Sequence, residues 1–125
     1  MTVLEPPYGA ATQRPVAESL LLAVENVCER LSIPSVRELL VAPYEADPRK
    51  STKFGALVLD DGTVGLTFTG LGDALARLQD RSLVGPVAGR EAVHLARLYT
   101  GAQMWQRAVG MAAINAISQF AFEAW

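Results

Sequence analysis

The chain has 125 residues, half of them hydrophobic, and a formal net charge of -2 at pH 7. This length fits one domain with a substantial core and is too short for two. The small negative charge and the scattered basic residues argue against nucleic-acid binding. The sequence carries no signal peptide, no apolar run of membrane-spanning length and only one cysteine, so it predicts a cytoplasmic protein that neither spans a membrane nor contains an internal disulfide.

The N-terminal part of the chain predicts an arm followed by a helix. Residues 1–14 contain prolines and small residues without periodicity, and we expect a flexible arm that orders only against a partner. A single domain then covers residues 15–125. Pro15 suits a first helical turn, and apolar residues recur at helical spacing as far as Leu31, so a helix is predicted from about Pro15 to Leu31. Pro34 prevents its continuation.

The middle of the chain predicts three strands. Val36–Val41 is rich in leucine and β-branched residues, as is typical of a strand, and the polar segment Glu45–Lys53 after it predicts an exposed loop. Asp61 and Gly62 lie between two apolar runs and predict a two-residue hairpin turn that joins the second strand to the third.

This turn also predicts a register for the hairpin. If Asp60 pairs with Thr63, four aliphatic side chains share one buried face, namely Leu57, Leu59, Val64 and Leu66. The opposite face then mixes apolar, small and hydroxylated residues, with Phe54, Ala56 and Val58 against Thr69, Thr67 and Gly65, respectively. We expect a helix, a second subunit or a ligand to cover this second face.

Helical spacing returns after the hairpin. Asp73–Gln79 predicts a short helix capped by Asp73, and Arg90–Tyr99 predicts another. A last helix should run to about Phe122. A helix, three strands and further helices in this order predict an α+β domain, in which a three-stranded antiparallel meander packs against a helical layer.

Two segments resemble one known family. They are the hairpin FGALVLDDGTVGLTFT (54–69) and the closing helix RAVGMAAINAISQ (107–119). They resemble the N-terminal domain of a family of two-domain proteins described as putative heavy-metal chelation proteins. The resemblance, which covers roughly Val16 to Gln119, implies a fold similar to the N-terminal domain of enolases. Family members continue into a Rossmann-like domain, so we expect this chain to be a stand-alone domain that associates with a separate Rossmann-like chain or with copies of itself.

One composite ligand site is predicted from the hairpin and the closing helix. Arg107 and Asn115 lie about two helical turns apart, where an arginine can clamp a carboxylate or phosphate and an asparagine amide can orient a ligand. Thr67 and Thr69 would contribute hydroxyl groups from the hairpin. Since an amide carries protons poorly, this set favours binding over catalysis.

The helix residues of this site also have structural alternatives. Glycine in a helix costs about 1 kcal/mol relative to alanine, and close approach of another backbone at Gly110 would offset that cost. Asn115 would then bond to neighbouring main chain. Arg107 would form an ion pair with a local acid such as Glu91.

Candidate proton carriers lie elsewhere in the sequence. Tyr44 and Glu45 belong to a mixed-charge loop that would cap a neighbouring site in an enolase-like arrangement. His94 needs Glu91 to orient it as a base, and a surface position is its structural alternative. Cys28 lies on the apolar side of the first helix, where a small buried hydrophobe is the common role.

Metal-ligand spacing is missing from the sequence. No CxxC, HxxxH or HExxH pattern occurs, so we expect no transition-metal site within one subunit. Carboxylates of Glu38, Glu45 and Asp47 could still bind a hard cation.

Taken together, the residues predict a small-molecule or metal-complex binding domain that acts as a homo-oligomer, with no particular ligand or cofactor identified. The alternatives are a small lyase-type or cyclase-type enzyme of a specialised biosynthetic pathway, and a structural partner of a separate Rossmann-like chain. Apolar surface left by a missing second domain predicts two-fold self-association. The predicted contact includes the second hairpin face together with Trp105, Phe120, Phe122 and Trp125.

Overall fold

The structure is a computed structural model that describes residues 15–47, 49, 52–81 and 85–124. The predicted arm at residues 1–14 and the predicted contact residue Trp125 lie outside these ranges. Within them the chain forms an antiparallel sheet and a set of helices, which confirms the predicted α+β class.

The helices lie close to their predicted positions. They are α1 (Val16–Arg30), α2 (Ala74–Gln79), α3 (Ala92–Ala96), a 3-10 helix (Arg97–Thr100) and α4 (Met104–Ala124). In the described part of the chain, none of the helices has the length and apolarity needed to cross a membrane.

The predicted side-chain cap of α2 is wrong. Asp73 occupies the N-cap position, but its side chain makes no capping hydrogen bond. Its carboxylate instead accepts a hydrogen bond from Nε of Arg77 at 3.1 Å. An arginine one turn further along the helix therefore competes successfully with the backbone for this carboxylate.

The strands form the predicted antiparallel meander. They are β1 (Val36–Leu40), β2 (Phe54–Leu59) and β3 (Val64–Phe68), in the order β1-β2-β3.

The predicted hairpin at Asp61 and Gly62 is confirmed, but the predicted loop length is wrong, because the loop has three residues instead of two. The amide of Gly62 donates to the carbonyl of Leu59, and the amide of Leu59 donates to the carbonyl of Thr63. Gly62 has a φ of 93°, in the left-handed region that favours glycine. This is the three-residue hairpin loop in which a type I turn is followed by a left-handed residue.

The longer loop shifts the register by one residue. Val58 pairs with Val64 and Ala56 pairs with Leu66. Leu57 and Leu59 are buried as predicted, whereas Leu66 is 59% exposed and Thr67 only 5% exposed. Since side chains alternate between the faces of a sheet, the predicted buried positions of Val64 and Leu66 are wrong.

The packing of α4 explains this register. A Cβ atom at Gly65 would overlap the carbonyl oxygen of Ala112 and the backbone nitrogen of Ala116. The helix therefore approaches β3 closely only if a glycine faces it. The predicted register would place Leu66 on the face that the helix covers.

The other side of the sheet, which we call the outer sheet face, is mostly apolar. It consists of the residues that alternate away from the helices, namely Glu38, Leu40, Phe54, Ala56, Val58, Val64, Leu66 and Phe68, and the charged residue Glu38 lies on the edge strand β1 opposite Val58. The predicted mixed composition of the second face is therefore wrong. The hydroxylated residues Thr67 and Thr69 lie on the helix side instead.

A prediction concerns the acid sensitivity of the hairpin turn. Hydrogen bonds from the backbone and side chain of Thr63 lower the pKa of Asp61 below its ordinary value of 3.8. A pKa that is lower in the folded state stabilises the fold at pH values above the pKa of the unfolded state. This stabilisation is lost as the pH falls through the pKa of the folded state. We expect the Asp61→Asn variant to lose less free energy of unfolding below pH ~4 than the wild type, by under about 1 kcal/mol because the carboxylate is exposed.

Urea denaturation between pH ~6 and ~2.5 measures this difference. The control is Asp60→Asn, which removes the neighbouring carboxylate of the same loop. Equal acid dependence in wild type and Asp61→Asn would contradict the prediction.

Candidate functional site

A cavity of about 350 Å³ lies between the end of β3 and the start of α4, and we call it the Arg107 cavity. Its volume lies within the range of small-molecule sites, which begins at about 300 Å³. Most of its wall is apolar, and its polar lining residues are Thr67, Tyr99 and Arg107.

Gly110 of α4 determines how close one wall of the Arg107 cavity lies to the helix. A Cβ atom at Gly110 would overlap the backbone nitrogen and Cα atom of Tyr99. The 3-10 helix therefore lies directly against α4, and Tyr99 is held at the cavity wall. This contact confirms the structural explanation of Gly110, which is close approach of another backbone.

Arg107 lines the cavity and is exposed to solvent, and its guanidinium group is partly anchored. Its Nε donates a hydrogen bond to the carbonyl of Gly101 at 2.9 Å. None of the ion pairs among the described residues includes Arg107, and the alternative partner Glu91 lies 3.2 Å from Nε2 of His94 instead. The two terminal nitrogen atoms of Arg107 therefore have no carboxylate partner within the described ranges.

The two threonines predicted for the site have different surroundings. Thr67 lines the Arg107 cavity, and its hydroxyl makes no hydrogen bond to another described residue. Thr69 is 1% exposed, and its hydroxyl is buried without a hydrogen-bond partner in the described structure. Thr69 does not line the cavity.

Asn115 is separated from Arg107 in the structure. Its Nδ2 donates a hydrogen bond to the carbonyl of Leu66 at 2.7 Å, as its structural alternative requires. It lines a groove between β3 and the C-terminal half of α4, together with Ser118 and Phe122. The ligand-binding role of Asn115 stays a prediction.

The candidate proton carriers do not line the Arg107 cavity. Tyr44 is exposed, and the Glu45 carboxylate accepts a hydrogen bond from the amide of Asp47 at 3.2 Å within the same loop. His94 is on the surface and faces Glu91. Their roles in a site stay predictions, and the structure brings none of them to Arg107.

Cys28 lies in a separate cavity beside the end of α1. Burial raises the pKa of its thiol above the ordinary value, and the nearby Arg97 lowers it only in part. The thiol therefore stays protonated at neutral pH, which is consistent with the predicted role of a small hydrophobe. Among the described residues, no three His, Cys, Asp or Glu side chains converge in a way that could hold a metal ion.

Sequence reasoning missed most of the cavity wall. Met104 and Met111 line the cavity on α4, Phe68 lines it from the end of β3, and Leu71 lines it from the segment after β3. The two methionines flank Arg107 at spacings of three and four residues, so they lie on one face of the helix. That stripe is visible in the sequence, whereas the contribution of Phe68 depends on the register.

The comparison with protein families identifies the chain. Residues 49–118, more than half of the chain, match the family described as "Putative heavy-metal chelation". The protein belongs to this family, and membership indicates binding of a metal or a small molecule. The matched region contains both the hairpin and most of α4.

Neither a curated protein nor a solved structure matches the chain. The similarity to the N-terminal domain of enolases and the two-domain organisation therefore stay predictions.

Proposed function

We propose that this protein binds a small molecule that carries a carboxylate or phosphate group on an apolar body. The observation that carries the proposal is Arg107, which lines a mostly apolar cavity and whose guanidinium has no ion-pair partner among the described residues. A guanidinium presents donors in a fork that matches these two anions. Its hydrogen bond to Gly101 anchors Nε and reduces the freedom that the side chain would lose on binding.

The rest of the cavity suits the apolar part of such a ligand. Phe68 and Leu71 supply apolar surface on one side, and Met104 and Met111 supply it on the other. Methionine side chains adapt to irregular shapes, so this wall accommodates more than one ligand body. The Thr67 hydroxyl offers a second polar contact on the sheet side.

The family description extends this proposal to metal complexes. A guanidinium is no metal ligand, and its charge repels a bare cation. A metal bound beside Arg107 would therefore enter as a complex whose own anionic ligand contacts the guanidinium. The thioether sulfur atoms of Met104 and Met111 are soft donors that suit such a metal.

A matched pair of probes tests the anionic requirement. Benzoate and benzyl alcohol share an aromatic body and differ in charge. We expect benzoate to shift the backbone amide NMR signals of Thr67, Phe68 and Arg107, and to bind about tenfold or more tightly than benzyl alcohol, because hydrogen bonds to charged groups contribute about 1.5–3 kcal/mol. Equal binding of the two probes, or shifts confined to residues outside the cavity, would contradict the proposal.

A further inference from the structure

We propose that the outer sheet face is the contact surface for a second copy of this chain, with the two sheets packed face to face across a two-fold axis. Phe54 is 57% exposed, Leu66 59% and Phe68 46%. Neither β2 nor β3 contains a charged residue. A contiguous apolar surface of several hundred Å² is often an interaction site.

Two aromatic side chains form an anchor on this face. The rings of Phe54 and Phe68 meet edge to face with centroids 5.6 Å apart. A Cβ atom at Gly70 would overlap the ring of Phe68, so the ring lies over the glycine. Exposed aromatic residues at the centre of a contact contribute strongly to interfaces.

The area of the face matches the requirement of a stable dimer. A phenylalanine side chain can bury about 150–250 Å². The large apolar side chains of the face are each about half exposed, so together they expose on the order of 500 Å² per subunit. Two faces would bury on the order of 1,000 Å² of apolar surface. This meets the lower bound of about 1,000 Å² for a specific interface.

The sheet edges are less suitable than the face for this association. At the β1 edge, the amide of Val36 donates to the carbonyl of Arg90, and its carbonyl accepts from the amide of Gly89. At the β3 edge, the side chain of Asn115 already donates to the carbonyl of Leu66. Both edges are therefore partly occupied by the chain itself, as is common in proteins that avoid edge-to-edge pairing.

A second copy is the occupant that best fits this face. Charge on the described part of the face is confined to Glu38 on the edge strand β1, so a strongly charged partner has little to recognise along β2 and β3. Two identical twisted sheets pack well at about 10 Å with nearly aligned strands. A two-fold axis makes the same patch serve both subunits. Phe68 and Leu71 also line the Arg107 cavity, so the partner subunit would lie beside that cavity.

Sedimentation of the full chain and its variants tests the proposal. We expect the wild type to be a dimer at about 10 µM, and Leu66→Lys to be a monomer there, with a dimer dissociation constant at least about 100-fold higher, since a lysine would be buried unpaired in the contact. Leu22→Lys is the matched control, because Leu22 is also exposed but lies on α1, and it should remain dimeric. Phe54→Lys is a second interface variant that should behave like Leu66→Lys.

Circular dichroism tests whether each variant is folded. We expect all of them to fold, because the replaced side chains are exposed in the subunit. A wild-type monomer at about 100 µM would overturn the proposal, since that concentration exceeds the dissociation constant of a contact of this size. A Leu66→Lys variant that is as dimeric as the wild type would overturn it as well.

Discussion

Replacing Gly110 with alanine is expected to lower the free energy of unfolding by about 3 kcal/mol. On a free helix surface the same change would stabilise the protein by up to about 1 kcal/mol, since alanine favours the helix. Here the added methyl group would overlap the backbone of Tyr99, and backbone cannot move aside as a flexible side chain can. The sign of the effect therefore reports the contact between α4 and the 3-10 helix.

Urea denaturation measures the Gly110→Ala effect, and Gly70→Ala is its matched control. A Cβ atom at Gly70 would meet only the ring of Phe68, which can rotate away, so a change of less than about 1 kcal/mol is expected there. Gly65→Ala should destabilise the fold as Gly110→Ala does, because its methyl group would overlap the backbone of α4. Stabilisation by Gly110→Ala would show that α4 and Tyr99 are further apart than the structure has them.

Replacing Arg107 with glutamine is expected to weaken benzoate binding by about 10-fold to 100-fold, the loss that corresponds to a hydrogen bond to a charged group. Binding of benzyl alcohol should change by less than about threefold, because it makes no ionic contact. Arg107→Lys should show an intermediate loss, since lysine keeps the charge and loses the fork. Titration calorimetry or NMR titration gives these affinities.

Arg97→Gln is the matched control for Arg107→Gln. It removes the same charge, but Arg97 pairs with Glu25 at 2.9 Å and does not line the cavity. Benzoate affinity should stay within about twofold of wild type, because exposed charges at a distance are screened by salt. Equal losses in both variants would mean that Arg107 acts only through net charge.

The helices and the strand order could be predicted because they depend on local signals. Pro15 and Pro34 limit the first helix region, and the Asp61-Gly62 pair marks the hairpin. These signals act within a few residues of the element that they define. The α+β class follows from the order of the elements, so it too was accessible from the sequence.

The hairpin register could not be predicted from local signals. Both Asp60-Thr63 pairing and the observed three-residue loop suit the same aspartate-glycine pair, and alternation in β3 is ambiguous because Val64, Leu66 and Phe68 form one apolar set. Contact between Gly65 and α4 selects the observed register. That contact involves residues about fifty positions apart, beyond the reach of local pattern.

The candidate site was predictable only in part for the same reason. Thr67 and Arg107 were expected near each other and do line one cavity, although Thr67 reaches it through a different register from the predicted one. The position of Asn115 on the helix predicts that it lies beside Arg107. In the structure the two side chains point in different directions from α4, and Asn115 faces the edge of β3. The loop residues Tyr44 and Glu45 had no spacing relation to the helix, and they do not line the cavity.

The most direct test of the proposed function is a crystal structure of the protein with benzoate. We expect the carboxylate to lie about 2.7–2.9 Å from the terminal nitrogen atoms of Arg107, with the ring among Phe68, Leu71 and Met104. A structure in which benzoate is bound elsewhere, or in which the Arg107 guanidinium pairs with an acidic side chain of the protein, would contradict the proposed function.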